Sequence, residues 1–491
     1  MTRTGETVAV TTYGHFIGGE WIRSEKTFDD FEPYSGEVYA QISAGGAEEA
    51  ERAVAAANAA FPDWAALPPA AKADLFLAAA RIVEERRKEI AEVMARETGC
   101  TLPFADFQQD LVKAMLRQAA NWVYLPAGEL LRTDAPGTYS TAVRRPLGVV
   151  ASFTPWNGAN VLAWRTVLAP LAAGNTVVVK PSEEAPISAG LIVAQVAEAA
   201  GFPPGVVNVV THAPGAAGPI ADRFFEDPEV RCINFIGSVP TGRMLAERAG
   251  RELKRSVMEL GGFNPLIVLD DVVLDDAVHV AVYSAFIHQG QVCLNARRIF
   301  VQESLYEEFL ARFTARTREL VSGDPHRPGT FIGPLINDRA RDLVHARVTE
   351  AVSKGARLVT GGTYDGRVYE PTILVDVPDD ATVAQEETFG PVVLVQPVAD
   401  AEEAVEIVNR SLYGLTASVL SGDTYRALEL AGRIKSGAVH INLPTVNDEI
   451  QAPIGGVRDS GWGRSGPYAL ADFTDVIWVN ARRDLPTDLP V

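Results

Sequence analysis

From about residue 146 the chain alternates between two kinds of segment. Short runs that are almost wholly apolar ("LGVVASF", "NTVVVKPS", "GVVNVVT", "RCINFIGS") are separated by longer stretches with apolar residues at helical spacing ("NVLAWRTVLAPLAAG", "PISAGLIVAQVAEAAG", "GAAGPIADRFFED", "PTGRMLAERAGREL"). Runs apolar on both faces predict strands covered on both sides, and strands alternating with helices predict a parallel sheet. The rhythm resumes after residue 265 in "NPLIVLDD", "DDAVHVAVYSAFIHQG", "RRIFVQES" and "LYEEFLARFTARTREL", so a second α/β unit is expected.

Upstream, "GHFIGGEWI" and "EVYAQISAG" predict short strands with glycine turns. The segments "AEEAERAVAAANAAF" and "PAAKADLFLAAARIVEERRKEIAEVMARET" predict two long amphipathic helices, the second with Pro69 in its first turn. The first dozen residues are polar and expected to be loose. Two further segments, "TYSTAVRRP" (138–146) and "DVIWVNARR" (475–483), read as lone strands outside either α/β run. Open strand edges invite pairing with another chain, and a simple edge hairpin is the alternative.

Length and charge narrow the picture. At 491 residues the chain exceeds one core, so two or three domains are expected. Asp and Glu number 63 against 44 Lys and Arg, a formal charge of −19, which argues against a nucleic-acid or anionic-membrane partner. The three cysteines, Cys100, Cys232 and Cys293, form no C-x-x-C pair and no disulfide framework, so a reducing, cytoplasmic setting is expected, with no metal site. The opening "MTRTGETVAVTTYGHF" lacks the apolar core of a signal peptide. The most apolar region, residues 160–174, is interrupted by Arg165 and is too short to span a bilayer.

One glycine motif is a decoy. "GWGRSG" (461–466) fits G-x-G-x-x-G, but it follows a glycine-rich loop and only 25 residues come after it, so it reads as loop. A better anion site is "INFIGSVPTGRML", where a strand runs into Gly237-Ser238 and a helix opens near Pro240. There the backbone can approach an anion at the positive end of a helix.

Four stretches carry candidate chemistry: "SFTPWNGAN", with Thr154, Pro155, Trp156 and Asn157; "VVVKPSEE", with Lys180, Ser182 and Glu183; "VMELGGFNP", with Glu259 and Leu260; and "HQGQVCLN", with Cys293. Three lie at predicted carboxyl ends of strands, where doubly wound sheets bind ligands. Taken alone, a free cysteine is more often a packed hydrophobe than a nucleophile. Cys100 and Cys232 read as structural. His288, five residues before Cys293, reads as a cap or packing residue, and a cysteine–histidine hydrolase is the rival reading.

Set in order, "TPWN", "KPSE", "MELGG", "GQVC", "EETFGPV" and "GGVRDSGWGR" resemble the NAD(P)-dependent aldehyde dehydrogenase superfamily from about residue 15 to residue 480. The resemblance implies two doubly wound Rossmann-like parallel-sheet domains with a small β oligomerisation arm. The NAD-binding domain would take residues 1–130 and 147–258, the catalytic domain 259–445, and the arm 131–146 and 470–491. It implies Cys293 as nucleophile, Asn157 with the Cys293 N–H as oxyanion donors, and Glu259 as the general base that activates water. A branch that passes the acyl group to coenzyme A would be expected to lack that base, so a free carboxylic acid is the expected product. NAD in preference to NADP is the implied cofactor, held by Thr154, Pro155, Trp156, Lys180, Ser182, Glu183, Gly237, Ser238, Gly242, Leu260, Glu387 and Phe389. A homodimer or homotetramer is implied.

"FIHQGQVCLN" and "TVNDEIQAPIGG" are most similar to the branch that oxidises aromatic aldehydes such as benzaldehyde, salicylaldehyde or vanillin. Phe286, Trp164 and Ile450 are the expected apolar mouth. An aliphatic, terpenoid or semialdehyde substrate is the alternative, and a non-catalytic binder on the same fold the rival class. Three departures from the usual pattern, Gly158-Ala159 after "PWN", Phe263 after "ELGG", and Arg458, leave the proposed chemistry intact.

Overall fold

The computed structural model describes residues 10–485. Residues 1–9 of the expected loose start and residues 486–491 of the assigned arm lie outside that range, and the end of that start is not loose: Thr11–Tyr13 form a strand paired with Ala40–Ile42. The first large sheet has the order Gly461–Trp462, Arg255–Glu259, Val230–Ile236, Val149–Thr154, Thr176–Pro181, Val207–Val209, His15–Ile17, Glu20–Ile22. Its five central strands are parallel, and antiparallel strands close both edges. Alternation explains why those strands read as continuous apolar runs. Val150, Val177 and Val179 pack into a core shared with the helix Ala159–Ala172, while Val149, Ala151, Phe153 and Val178 pack on the other face with Phe224 and Phe225.

Chain order runs outward from Val149–Thr154 through Thr176–Pro181 to Val207–Val209, then returns to Val230–Ile236 on the opposite side of Val149–Thr154. That reversal opens a crevice at the carboxyl ends of these strands, the usual ligand position in such sheets. A second sheet, of seven strands, is parallel except for the edge strand Arg357–Thr360. Both α/β units are therefore present, and the deviation from pure parallel pairing is confined to sheet edges.

Three local expectations change, and one helix is added. The predicted second long helix is broken at Arg86 into Pro69–Glu85 and Arg87–Thr98. Arg87 then pairs with Asp106 and Asp110 of a further helix, Leu102–Trp122, which the sequence pattern had not singled out. Within the decoy motif, Gly461–Trp462 forms a two-residue strand against Met258 and Glu259 rather than plain loop. The two lone strands pair with each other, Thr138–Pro146 against Thr474–Arg482, in a three-stranded sheet with Gly128–Leu131. Among the described residues no helix is long and apolar enough to cross a membrane.

Candidate active site

The first sheet delivers Thr154, Lys180 and Glu259 to its carboxyl edge, each at or next to the end of a strand. The Thr154 hydroxyl donates to Ala189 O at 2.6 Å, so this side chain holds the turn. Ser182 N donates to Thr154 O at 3.0 Å and ties the second strand end to the first. Gly237 N donates to Glu259 O at 3.0 Å, and the Ser238 hydroxyl accepts from Thr241 N as the cap of the helix Val239–Arg251. A Cβ on Gly242 would lie 2.4 Å from Leu260, so glycine is what lets this helix end approach the crevice floor. Lys180 is buried, and its Nζ donates to Pro181 O at 3.1 Å. Exposed Ser238 at a helix start, with a buried cation two strands away, is a donor set that suits the phosphates and ribose of a dinucleotide.

From the other α/β unit, Glu387 and Phe389 close over this edge. The Phe389 ring meets Trp156 edge-on at 5.6 Å. Glu387 lies against the backbone of Gly261, where a Cβ would fall 2.0 Å from its Oε2. Its other oxygen is buried and has no partner among the described residues, as a group awaiting a ligand hydroxyl would be. Burial pushes the Glu387 carboxyl up to about 7 against the opposing charge of Arg297.

Cys293 sits in a loop held from several sides. Asn264 Nδ2 donates to Cys293 O at 2.6 Å and to Asn295 O at 2.8 Å. The Asn295 carboxamide oxygen accepts from Val292 N at 2.7 Å. The Arg297 guanidinium donates to Gly290 O at 2.6 Å and to Gly390 O at 3.1 Å. Gly290 has φ +69°, and a Cβ there would stand 2.1 Å from Gly390 O, so both the turn and the close approach require glycine. Asn157 reaches across from the first sheet, its Nδ2 donating to Gln291 O at 2.9 Å. One amide hydrogen of Asn157 thus fixes it beside the cysteine loop and the other is left over.

The charges here are strongly perturbed. Burial, then Glu387, push the Cys293 thiol up to about 12, with Arg165 pulling the other way. Burial also pushes Glu259 up to about 8, opposed by Arg165 and Arg464. Glu259 rests on Gly455, where a Cβ would stand 2.8 Å from its Oε1, and that oxygen has no partner among the described residues. Arg464 Nη1 donates to Gly456 O at 2.9 Å, which fixes the guanidinium beside this shelf. The motif "GGVRDSGWGR" is therefore the floor under Glu259.

Beside Glu259 a cavity has Met115, Trp122, Ile450 and Phe473 among its apolar walls, and Arg165, Asp448, Glu449, Arg464 and Glu259 itself among its polar ones. Arg165 and Asp448 form an ion pair. Burial would depress the Arg165 guanidinium, but Asp448, Glu259 and Cys293 outweigh it and hold it above its ordinary value. Of the expected apolar mouth only Ile450 lines this cavity. Trp164 is fully buried in the helical core, and Phe286 stacks on Phe313 at 6.0 Å in the second core. Both sit on helices whose apolar faces turn inward, which is the stronger call on a large aromatic side chain. His288 is buried and stacked on Phe104 at 4.6 Å, and burial lowers it to about 4.

The sequence pattern of the aldehyde dehydrogenase family matches residues 21–479. The chain belongs to that family. It is 41% identical to a vanillin dehydrogenase of Pseudomonas fluorescens, over 97% of this chain and 98% of the relative. A salicylaldehyde dehydrogenase from Pseudomonas putida G7, solved in complex with salicylaldehyde, superposes with a TM-score of 0.95 at 37% identity, covering 98% of this chain and 100% of that one. An NADP-dependent enzyme of E. coli superposes at 0.93 with 33% identity, over 96% and 98%.

In this aldehyde dehydrogenase, Asn264, Asn295, Arg297 and Arg464 escaped the reading of the sequence, because their work is to tie loops together across long separations. Arg165 could have been suspected: it is the one charge in a helix whose other polar residues are Asn160 and Thr166 alone. Cys100 and Cys232 are buried and unpaired, as expected.

Proposed function

We propose that this enzyme oxidises an aromatic aldehyde to the carboxylic acid with NAD, through a thioester on Cys293. The observation that carries the reading is the reach of Asn157 from the first sheet to the Cys293 loop of the second, beside Glu259. The Cys293 thiolate adds to the carbonyl and forms a thiohemiacetal. The second amide hydrogen of Asn157 and the Cys293 N–H stabilise its oxyanion. NAD, when bound, supplies the hydride acceptor. Glu259 takes a proton from water, which hydrolyses the thioester. Lys180, Glu183 and Ser182 would hold the adenosine ribose, Ser238 and Gly237 the pyrophosphate, and Glu387 the second ribose, with Trp156 and Phe389 beside it. A carboxylate at Glu183 accepts from ribose hydroxyls and repels a 2′-phosphate, which favours NAD.

The cavity supports the aromatic substrate. Its apolar walls suit a ring, and Arg165 Nε and Asp448 Oδ1 are buried without partners among the described residues. A ring hydroxyl could donate to Asp448 and accept from Arg165. A semialdehyde carboxylate would suit Arg165 but meet Asp448, so that reading is weaker. Asp448→Asn is expected to lower kcat/KM for hydroxybenzaldehydes about tenfold more than for benzaldehyde, since a charged hydrogen bond becomes a neutral, weaker one. An equal fall for both would mean that the pair shapes the cavity without reading the hydroxyl. The decisive test of the whole reading is NADH absorbance with a panel of aldehydes; no NADH from any of them sinks it.

The sheet built on Thr474–Arg482 is the proposed arm. Val476, Ile477, Trp478 and Val479 are all exposed on one strand, apolar surface that calls for cover. Light scattering is expected to give a dimer or tetramer, and Val476→Glu with Trp478→Glu a smaller species. An unchanged mass would place the interface elsewhere.

A further inference from the structure

His212 follows the strand Val207–Val209, which neighbours the strand Thr176–Pro181 that carries Lys180. Its ring is buried, and both ring nitrogens have partners. Nδ1 lies 2.9 Å from Ala213 O, and a carbonyl only accepts, so Nδ1 carries the hydrogen. Nε2 is then a lone pair, and it accepts from Lys180 Nζ at 2.6 Å. With Pro181 O taking another, two of the three Lys180 hydrogens are already engaged. One remains for a ligand. Glu183 Oε2 stands 3.8 Å from His212 Nε2 and is the other charged group against the pair.

A ribose with free hydroxyls needs no more than one donor and one acceptor here, and Lys180 and Glu183 supply them. A 2′-phosphate brings two negative charges beside Glu183. Among the described residues in contact with this pair, His212 is the neutral one that can gain a full positive charge near pH 7. Protonation at Nε2 turns it from acceptor to donor and releases the Lys180 hydrogen it was holding, so both cations face the phosphate. Resting on the reading that this strand end holds the adenosine ribose, we infer that His212 positions Lys180 for NAD and makes binding of a 2′-phosphorylated dinucleotide coupled to uptake of a proton. In the ligand-free chain burial and the Lys180 charge hold His212 at about 4, so it is neutral near pH 7, and the charge of the 2′-phosphate must lift it past 7 for the proton to be taken up. Lys180 itself, lowered to about 8 by burial against the pull of Glu183, is already mostly charged there.

The test is calorimetric titration of the purified enzyme with NAD and with NADP at pH 7, in two buffers of different ionisation enthalpy. The 2′-phosphate, with a second pKa of about 6, is then largely a dianion and contributes little. NADP is expected to take up close to one proton and NAD close to none. NADP affinity should therefore rise as pH falls from 7.5 to 6.5, while NAD affinity stays level. In His212→Asn the amide oxygen can still accept from Lys180 but cannot be protonated. That variant is expected to lose the proton uptake and to weaken NADP binding more than NAD binding. No uptake in the wild type, equal uptake in the variant, or no NADP binding at any pH between 6 and 8 overturns the proposal. Lys180→Ala separates it from its premise. Weaker binding of both dinucleotides upholds the ribose site, whereas unchanged affinities remove that site and the proposal with it.

Discussion

Cys293→Ala is expected to lower aldehyde-dependent NADH formation by about 10⁴-fold or more, the scale seen when a covalent nucleophile is removed. No neighbour can replace it. Cys100 and Cys232 are buried in the cores, and burial pushes both thiols far up. The Cys293 thiol also lies high, at about 12, because burial and Glu387 disfavour the thiolate. Its reactivity must therefore come from charge brought in by ligands and from loss of its proton within the site. Stopped-flow absorbance at the NADH band checks this, together with binding of NAD to the variant, which should persist. Retained turnover would end the thioester mechanism. The cysteine–histidine hydrolase reading gains no support from the geometry, since His288 is buried against Phe104 and held neutral.

The second large effect falls on Glu259. Glu259→Gln is expected to keep a burst of NADH of about one per active site, because attack and hydride transfer precede the step that needs the base. Steady-state turnover should fall by about 10²- to 10⁴-fold, the usual contribution of a positioned general base. The pH profile gives a separate check. Burial pushes the carboxyl up to about 8, and the base works only when ionised, so wild-type turnover should rise with pH through that region. The Gln variant should show no such rise. Loss of the burst along with the turnover would place Glu259 in an earlier step.

Much of this arrangement could be read along the chain. Strands buried on both faces must be apolar at nearly every position, so "NTVVVKPS" and "LGVVASF" announce themselves, and polar residues where such runs stop mark the ligand edge. That is why Asn157, Lys180 and Glu259 were visible as candidates. Helix breaks were less visible. "EERRKE" keeps its helical spacing through Arg86, and the interruption there comes with the docking of Arg87 on Asp106 and Asp110, contacts the local pattern does not contain.

The sequence by itself determined the two α/β units, the strand ends that carry the site, and the family to which they belong, because these follow from local periodicity and from motifs a few residues long. Only the tertiary structure decided which aromatic side chains face the cavity and which fill the core. Trp164 and Phe286 are apolar residues close in sequence to the site, but the turn of a helix, unseen in composition, sends both inward. The same holds for Cys293. Nothing within "GQVCLN" sets Cys293 apart from a packed thiol. Asn157, Glu259, Arg165 and Glu387 converge on it from sites up to 136 residues away in the chain, and their charges can act on the sulfur only once the two sheets are packed together.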